Sequence, residues 1–173
     1  MNFNEKTLTE NYIYNGKILN LRRDKVELIN GKETYREIVE HSGGSCVYCE
    51  ENDKILLVKQ FRYAYKEELW EIPAGKLDKG EKPYKTALRE LEEECGIKAE
   101  EVELVFEIYP SPGYTQEKIY IYQAKNFTKT QKHLDEGEFL ESYWIDKQTV
   151  KEMLKNGQIK DAKTIIALLY FLK

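Results

Sequence analysis

The residues of this chain best suited to chemistry are acids crowded into one short stretch, Arg89-Glu90-Leu91-Glu92-Glu93-Glu94. Pro83 to Cys95 reads as a helix. Pro83 fits its first turn, where the missing N–H costs nothing, and Gly96 is a natural C-terminal stop. On that helix Glu90 and Glu94 are four apart and stack on one side, with Glu93 one position further round. Like charges at this spacing repel, and near a helix C-terminus the macrodipole opposes them again. A divalent cation reverses that penalty. Mg2+ takes a few carboxylate oxygens together with waters and substrate phosphates, which suits the arrangement. For the acids alone, a solvated helix face is the commoner explanation. Tyr84, Ala87, Leu88, Leu91 and Cys95 fall on one stripe at helical spacing and read as the core face.

The surrounding residues favour the metal. Gly75 is followed by Glu81, then Arg89-Glu90-Leu91, Glu93-Glu94 and Gly96-Ile97. This resembles the Nudix box, G-x5-E-x7-R-E-U-x-E-E-x-G-U with U aliphatic, and every fixed position is filled. The resemblance implies a loop–helix–loop in a Nudix-type α/β/α sandwich. It also implies metal binding by Glu90 and Glu94, with Glu93 as a third acid and a backbone carbonyl of Ala74 or Gly75 as a further ligand. Arg89 would orient the carboxylates through charge-assisted hydrogen bonds. The reaction class implied is hydrolysis of a nucleoside diphosphate linked to another group.

Flanking residues resemble one branch of that family, the ADP-ribose pyrophosphatases. Ser111-Pro112-Gly113 places Pro112 sixteen positions beyond Gly96, and Glu117 extends the match. Pro-Gly is also ordinary turn chemistry. Leu69-Trp70-Glu71-Ile72-Pro73-Ala74-Gly75-Lys76-Leu77 and Val58-Lys59-Gln60-Phe61-Arg62-Tyr63 resemble the branch as well. By that resemblance Arg62 would bind the phosphates or adenine end, Arg36 has a counterpart in the branch's N-terminal hairpin, and Glu117 approaches the terminal ribose. Trp70, Tyr12 or Tyr14 could stack on adenine, although core packing is the commoner fate of such a ring. Leu134 to Glu141 reads as an acidic loop. There Glu138, with Glu136 as the runner-up, would complete the site as general base or hold the water; the plain alternative is a solvated loop.

The elements that must position these residues are mostly strands. Val26 and Leu28 alternate before Asn30-Gly31, and Thr34, Tyr35, Ile38 and Val39 follow; Asn-Gly predicts a type I′ hairpin turn. Cys46 to Cys49 and Ile55 to Phe61 read as buried strands joined at Glu51-Asn52-Asp53. Leu69 to Gly75 reads as a loop. Val102 to Tyr109, Lys118 to Ala124 and Phe139 to Ile145 are further strands. Gln148 to Asn156 is a helix closed by Gly157, and a last helix runs from Ala162 to Leu172, capped by Asp161. Strands and helices do not alternate in βαβ fashion, so the fold class is α+β, a mixed sheet sandwiched by helices with a small N-terminal β extension. The expected division is an extension at 1–43, for dimerisation and substrate contact, and a Nudix hydrolase domain at 44–173.

Composition sets bounds on partners. The hydrophobic fraction of 41% is that of a globular chain. A net charge of −4 argues against nucleic acid, whose binding needs a basic footprint. No apolar run approaches the ~20 residues that cross a bilayer, and Met1 to Lys6 has no secretory-type apolar core. These features read as a cytoplasmic protein with no membrane partner. Cys46 and Cys49 have C-x-x-C spacing but sit on a strand, where residues three apart face opposite ways, so a redox or zinc pair is not expected.

The activity the resemblance implies is metal-dependent hydrolysis of ADP-ribose to AMP and ribose 5-phosphate, with Mg2+ as cofactor and Mn2+ as a substitute, by a homodimer. The alternatives are another nucleoside diphosphate derivative (a nucleotide sugar, NADH or a dinucleoside polyphosphate, which Tyr114 keeps open) or a Nudix-fold module that binds ADP-ribose without cleaving it. Loss of box acids would favour the module, and none is lost.

Overall fold

A computed structural model describes residues 3–173. Met1 and Asn2, the start of the polar N-terminus, lie outside the described residues. The chain forms two compact units, one from the residues through Gly43 together with Tyr109–Lys118, the other from Gly44–Ile108 and Ile119–Lys173.

The first unit is an antiparallel sheet of β1 (Lys6–Thr9), β2 (Tyr12–Asn15), β3 (Leu19–Glu27) and β4 (Glu33–His41). β4 pairs with β3 along its whole length, while β1 and β2 pair with successive stretches of β3. The β3–β4 turn differs from the expected type I′ pair. Only Gly31 has positive φ (78°), its N–H donates to Leu28 O at 2.9 Å, and Leu28 N–H donates to Lys32 O at 2.8 Å. This is a longer loop with one left-handed glycine, a common alternative hairpin connection. The interior of this unit is thin and charged: Asp24 is buried, and Arg22 pairs with Asp24 and Glu40 at 3.0 Å each and with Glu10 at 3.4 Å. Tyr12, Ile13, Tyr14, Ile18, Ile29 and Tyr35 are exposed.

The second unit is the sandwich. One sheet runs β10 (Ile97–Ile108), β11 (Ile119–Lys129), β5 (Gly44–Tyr48), β9 (Ala74–Lys76). It is mixed: β11 and β5 are parallel and the other pairs antiparallel. The other sheet joins β12 (Leu140–Asp146), β7 (Lys54–Arg62), β6 (Glu50–Glu51) and β8 (Glu67–Glu71). The segment read as a loop from Leu69 to Gly75 thus contributes two short strands, interrupted at Ile72-Pro73. Pro73 has no N–H for a ladder, but its carbonyl accepts from Val47 N–H at 2.9 Å. The type I′ geometry predicted at Asn30-Gly31 occurs instead between β6 and β7, where Asn52 and Asp53 both have positive φ (51° and 58°) and Glu51 pairs with Lys54.

The strands bury both faces, which is why they read as unbroken apolar runs. Cys46, Tyr48, Ile55, Leu57 and Ile121 pack with Val150 and Met153 of α2 (Lys147–Lys155) and Ala167 and Leu168 of α3 (Ala162–Phe171). Val47, Cys49, Leu56 and Tyr122 pack on the opposite face with Ala87 and Leu91 of α1 (Pro83–Cys95). Each large apolar side chain so buried contributes about 1.5–3 kcal/mol. Cys46 and Cys49 fall in the two different cores, and burial pushes both thiols up to about 12, so they stay protonated, ordinary core residues. Among the described residues no helix is long and apolar enough to cross a membrane.

Candidate active site

Helix α1 begins at Pro83 without a side-chain cap and ends at Gly96, left-handed at φ 62°, whose N–H donates to Glu92 O at 2.8 Å. Its buried face is not the apolar stripe alone. Thr86, Ala87, Glu90, Leu91 and Glu94 are buried, while Tyr84 is 40% exposed and Leu88 and Cys95 only partly covered. The core face is therefore rotated toward the acids. Glu90 is 8% and Glu94 3% exposed, so the pair is not a solvated face.

Arg89 gathers the remaining acids. Its Nε and Nη2 donate to the two oxygens of Glu81 at 3.2 and 3.1 Å, and its Nη1 donates to Glu90 Oε1 at 2.8 Å and Glu93 Oε2 at 2.9 Å. Glu81 is further held by Thr86 Oγ1 at 2.7 Å. The sequence marks Glu81 as a fixed box position, and the fold brings it from before the helix onto Arg89, eight positions later.

The other side of the pocket is backbone. Glu94 Oε2 accepts from Ala74 N–H at 3.0 Å. Gly75 lies against Glu90 so closely that a Cβ there would stand 1.8 Å from Glu90 Oε1, which explains a glycine in ordinary extended backbone. Burial pushes Glu90 up to about 7, against the pull of Arg89 and with the push of Glu93 and Glu138. Burial likewise pushes Glu94 up to about 8, opposed by the Ala74 N–H and assisted by Glu90 and Glu138. Among the described residues Glu94 has no ion pair.

Arg62, at the end of β7, grips Glu71 with two hydrogen bonds of 2.6 and 2.7 Å and lies close enough to exert an attraction on Glu94. Glu138 follows the left-handed Gly137 in an exposed turn, closed by its own N–H on Asp135 O at 3.1 Å, and its charge reaches both Glu90 and Glu94. Trp70 is half-buried against the first core, its ring edge-on to Tyr143 at 5.3 Å with Lys59 Nζ 5.7 Å from it. Thus Ala74, Arg62, Arg89, Glu90, Glu93, Glu94 and Glu138 come together.

The other candidates belong to the first unit. Arg36 is ion-paired with Glu5 at 2.6 Å. Pro112 and Gly113 are exposed in a turn where Tyr114 N–H donates to Ser111 O at 3.3 Å. Val39 N–H donates to Tyr114 O at 2.7 Å, tying this turn to β4, and Glu117 lies 3.3 Å from His41 Nδ1. Tyr12 donates to Glu40 at 3.2 Å.

Among the described residues no three His, Cys, Asp or Glu side chains stand ready as a metal cage, and Arg89 is drawn in among the acids. The donor set nonetheless fits a hard divalent cation. Glu90 and Glu94 are adjacent buried carboxylates that burial holds toward their neutral form, a cost that a bound cation removes.

Residues 40–168 match the NUDIX domain, and the chain belongs to that family, whose hydrolases generally use a divalent metal. Residues 5–39 match the nucleoside diphosphate sugar hydrolase N-terminal domain. The chain is 40% identical over 169 residues to the ADP-ribose pyrophosphatase of Bacillus subtilis (strain 168), covering 96% of this chain and 91% of that one. It is 42% identical over 171 residues to the methanol dehydrogenase activator of Bacillus methanolicus, covering 97% and 92%. The crystal structure of an ADP compounds hydrolase shares the fold with a TM-score of 0.85 at 19% identity, over 98% of this chain and 93% of that one. The α+β Nudix fold expected from the box is the one observed.

Proposed function

We propose that this chain hydrolyses the diphosphate of ADP-ribose to AMP and ribose 5-phosphate, with Mg2+ as its metal and Mn2+ as a working substitute. The observation that carries the chemistry is the buried Glu90–Glu94 pair, backed by the Ala74–Gly75 backbone and by Arg89. The likeness to a protein named ADP-ribose pyrophosphatase along nearly the whole chain supports the substrate.

In this reading Glu90, Glu94 and the Ala74 carbonyl hold the metal, with Glu93 beside them. Bound there, a divalent cation supplies neutralisation of phosphate charge and a more acidic water. Arg89 bridges Glu90 and Glu93 through one nitrogen and so keeps both carboxylates correctly turned, with Glu81 holding Arg89 in place. Arg62 holds a phosphate of the substrate, so attack becomes nearly unimolecular. Glu138, with Glu136 as the runner-up, takes the proton of the attacking water; the reach of its charge to both buried acids supports this choice. Arg36, Trp70, Pro112, Gly113 and Glu117 are the remaining proposed substrate contacts. Residues 1–43 serve dimerisation and substrate contact in a cytoplasmic homodimer. The exposed apolar residues of that thin sheet support a partner surface, since so small a sheet buries little by itself.

A panel of ADP-ribose, a nucleotide sugar, NADH and a dinucleoside polyphosphate with Mg2+, its products separated by chromatography, tests the substrate. ADP-ribose is expected to turn over fastest. The match of residues 5–39 favours a nucleotide sugar as the second reading, and faster turnover of that compound establishes it. Activity that persists in chelator and peaks in acid overturns the metal mechanism. Tight binding of ADP-ribose without any hydrolysis identifies a binding module.

A further inference from the structure

Beneath the acids, side chains from three elements form a second polar cluster. Arg62 holds Glu71 through Nε and Nη2. Lys163 Nζ, one residue inside α3, stands 2.6 Å from Glu71 and 2.9 Å from Asp161. Asp161 caps α3, accepting from Thr164 N–H at 3.0 Å and from Thr164 Oγ1 at 2.5 Å. Thr164 Oγ1 itself accepts from Ile72 N–H at 2.9 Å. Glu71 is 1% exposed and Thr164 fully buried.

The four charges balance, two cations against two anions, as burial demands. Their consequence reaches the site along two lines. The guanidinium has five donors in a fixed fork, and Glu71 engages one edge of it, which leaves the Nη1 edge free to bind an anion. Lys163 holds Glu71 from the other side, so the carboxylate that orients the guanidinium is itself fixed between two cations. The second line is the backbone: Ile72 precedes by two residues the Ala74 N–H that holds Glu94.

We infer that Lys163 and Thr164, in the first turn of α3, are positioning residues for this site: Lys163 fixes the carboxylate that aims Arg62, and Thr164 fixes the backbone that carries Ala74. The inference rests on the proposed hydrolysis of ADP-ribose by the same site. A cluster that merely pins α3 to the sheet would change thermal stability and leave substrate handling alone.

The test is a double-mutant cycle on the full chain with Arg62→Ala, Lys163→Met and the double variant, together with Thr164→Val and Thr164→Ser. It reads kcat, KM, Tm and, with EDTA present, the dissociation constant for ADP-ribose. Lys163→Met is expected to raise KM and that dissociation constant about tenfold with kcat within about threefold, and the factor is expected to vanish in the Arg62→Ala background. Thr164→Val is expected to lower kcat about tenfold, with Thr164→Ser, which keeps the hydroxyl, restoring it. Equal factors with and without Arg62, or native kinetics in Thr164→Val, overturn the inference. Should Lys163→Met fail to fold, Glu71→Gln replaces it in the same cycle, and additive factors there overturn it equally. If the native protein leaves ADP-ribose intact and turns over another nucleotide, the substrate reading fails and the cycle is run on that nucleotide. If the native protein hydrolyses ADP-ribose and the cycle is additive, only the positioning role fails.

Discussion

Glu71 and Glu94 are both buried glutamates in the same unit, 1% and 3% exposed, yet they sit in opposite electrostatic situations. Burial by itself would raise both. At Glu71 it is overcome by Arg62 and Lys163, which bring that carboxyl below the usual range. At Glu94 only the Ala74 N–H and the more distant charge of Arg62 oppose it, and the carboxyl is left at about 8 beside two further acids. The lesson is that burial of charge does not by itself mark function. Glu71 is balanced from within the chain by two cations, whereas Glu94, and Glu90 despite Arg89, stay raised, a state that a bound cation would reverse.

The sharpest way to break this contrast is to neutralise each glutamate in place. Glu94→Gln is expected to cut turnover on the order of a thousandfold while leaving Tm unchanged or higher, because the amide retains the shape without the buried charge. Steady-state kinetics and a melting curve on one preparation decide it; a parallel loss of both would make Glu94 structural. Glu71→Gln is expected to do the reverse. Breaking a buried pair from one side costs about 3 kcal/mol, or roughly 6–12 °C in Tm for a chain of this size, with the change in substrate handling confined to KM.

A smaller effect separates the metal acids from their supporting backbone. Gly75→Ala places its methyl where Glu90 Oε1 now lies. The obstruction is the end of a flexible side chain, so the fold gives way there and the main chain does not. Turnover is expected to fall about 10- to 100-fold with Tm nearly unchanged, which kinetics and calorimetry check. Full activity in Gly75→Ala would mean that Glu90 works from some other rotamer.

Much of this was legible in the sequence, and its failures are instructive. The ends of α1 were readable because Pro83 and Gly96 act locally, through φ and the missing N–H. The core face of α1 was not, because an apolar stripe counts Tyr84 inward and glutamates outward. Glu90 and Glu94 are buried against that rule, as functional residues often are. β8 and β9 were hidden by Pro73, which breaks the run into pieces too short to read. The Glu71–Lys163 contact spans 92 positions, and no local pattern in either segment announces it.

The subtlest difference between the two sites is in the direction of their pH dependence. Glu71 is lowered, so its contribution to stability is present above the ordinary carboxylate value of 4.5 and is lost as pH falls through its folded value. Glu90 and Glu94 are raised, so the folded protein holds protons that the unfolded chain has released. In the metal-free protein their effect on stability is therefore most favourable below 4.5 and is lost as pH rises through about 7 and about 8. Tm measured in chelator is expected to fall across that interval, and Glu94→Gln is expected to flatten the fall. An added divalent cation should reverse it, since the cation and the protons compete for the same oxygens. The same competition makes the acid limb of activity move to lower pH as metal concentration rises. A Tm in chelator that climbs from pH 5 to 8, in native protein and Glu94→Gln alike, would mean that the two buried acids are already ionised and balanced within the chain, and the contrast with Glu71 would disappear.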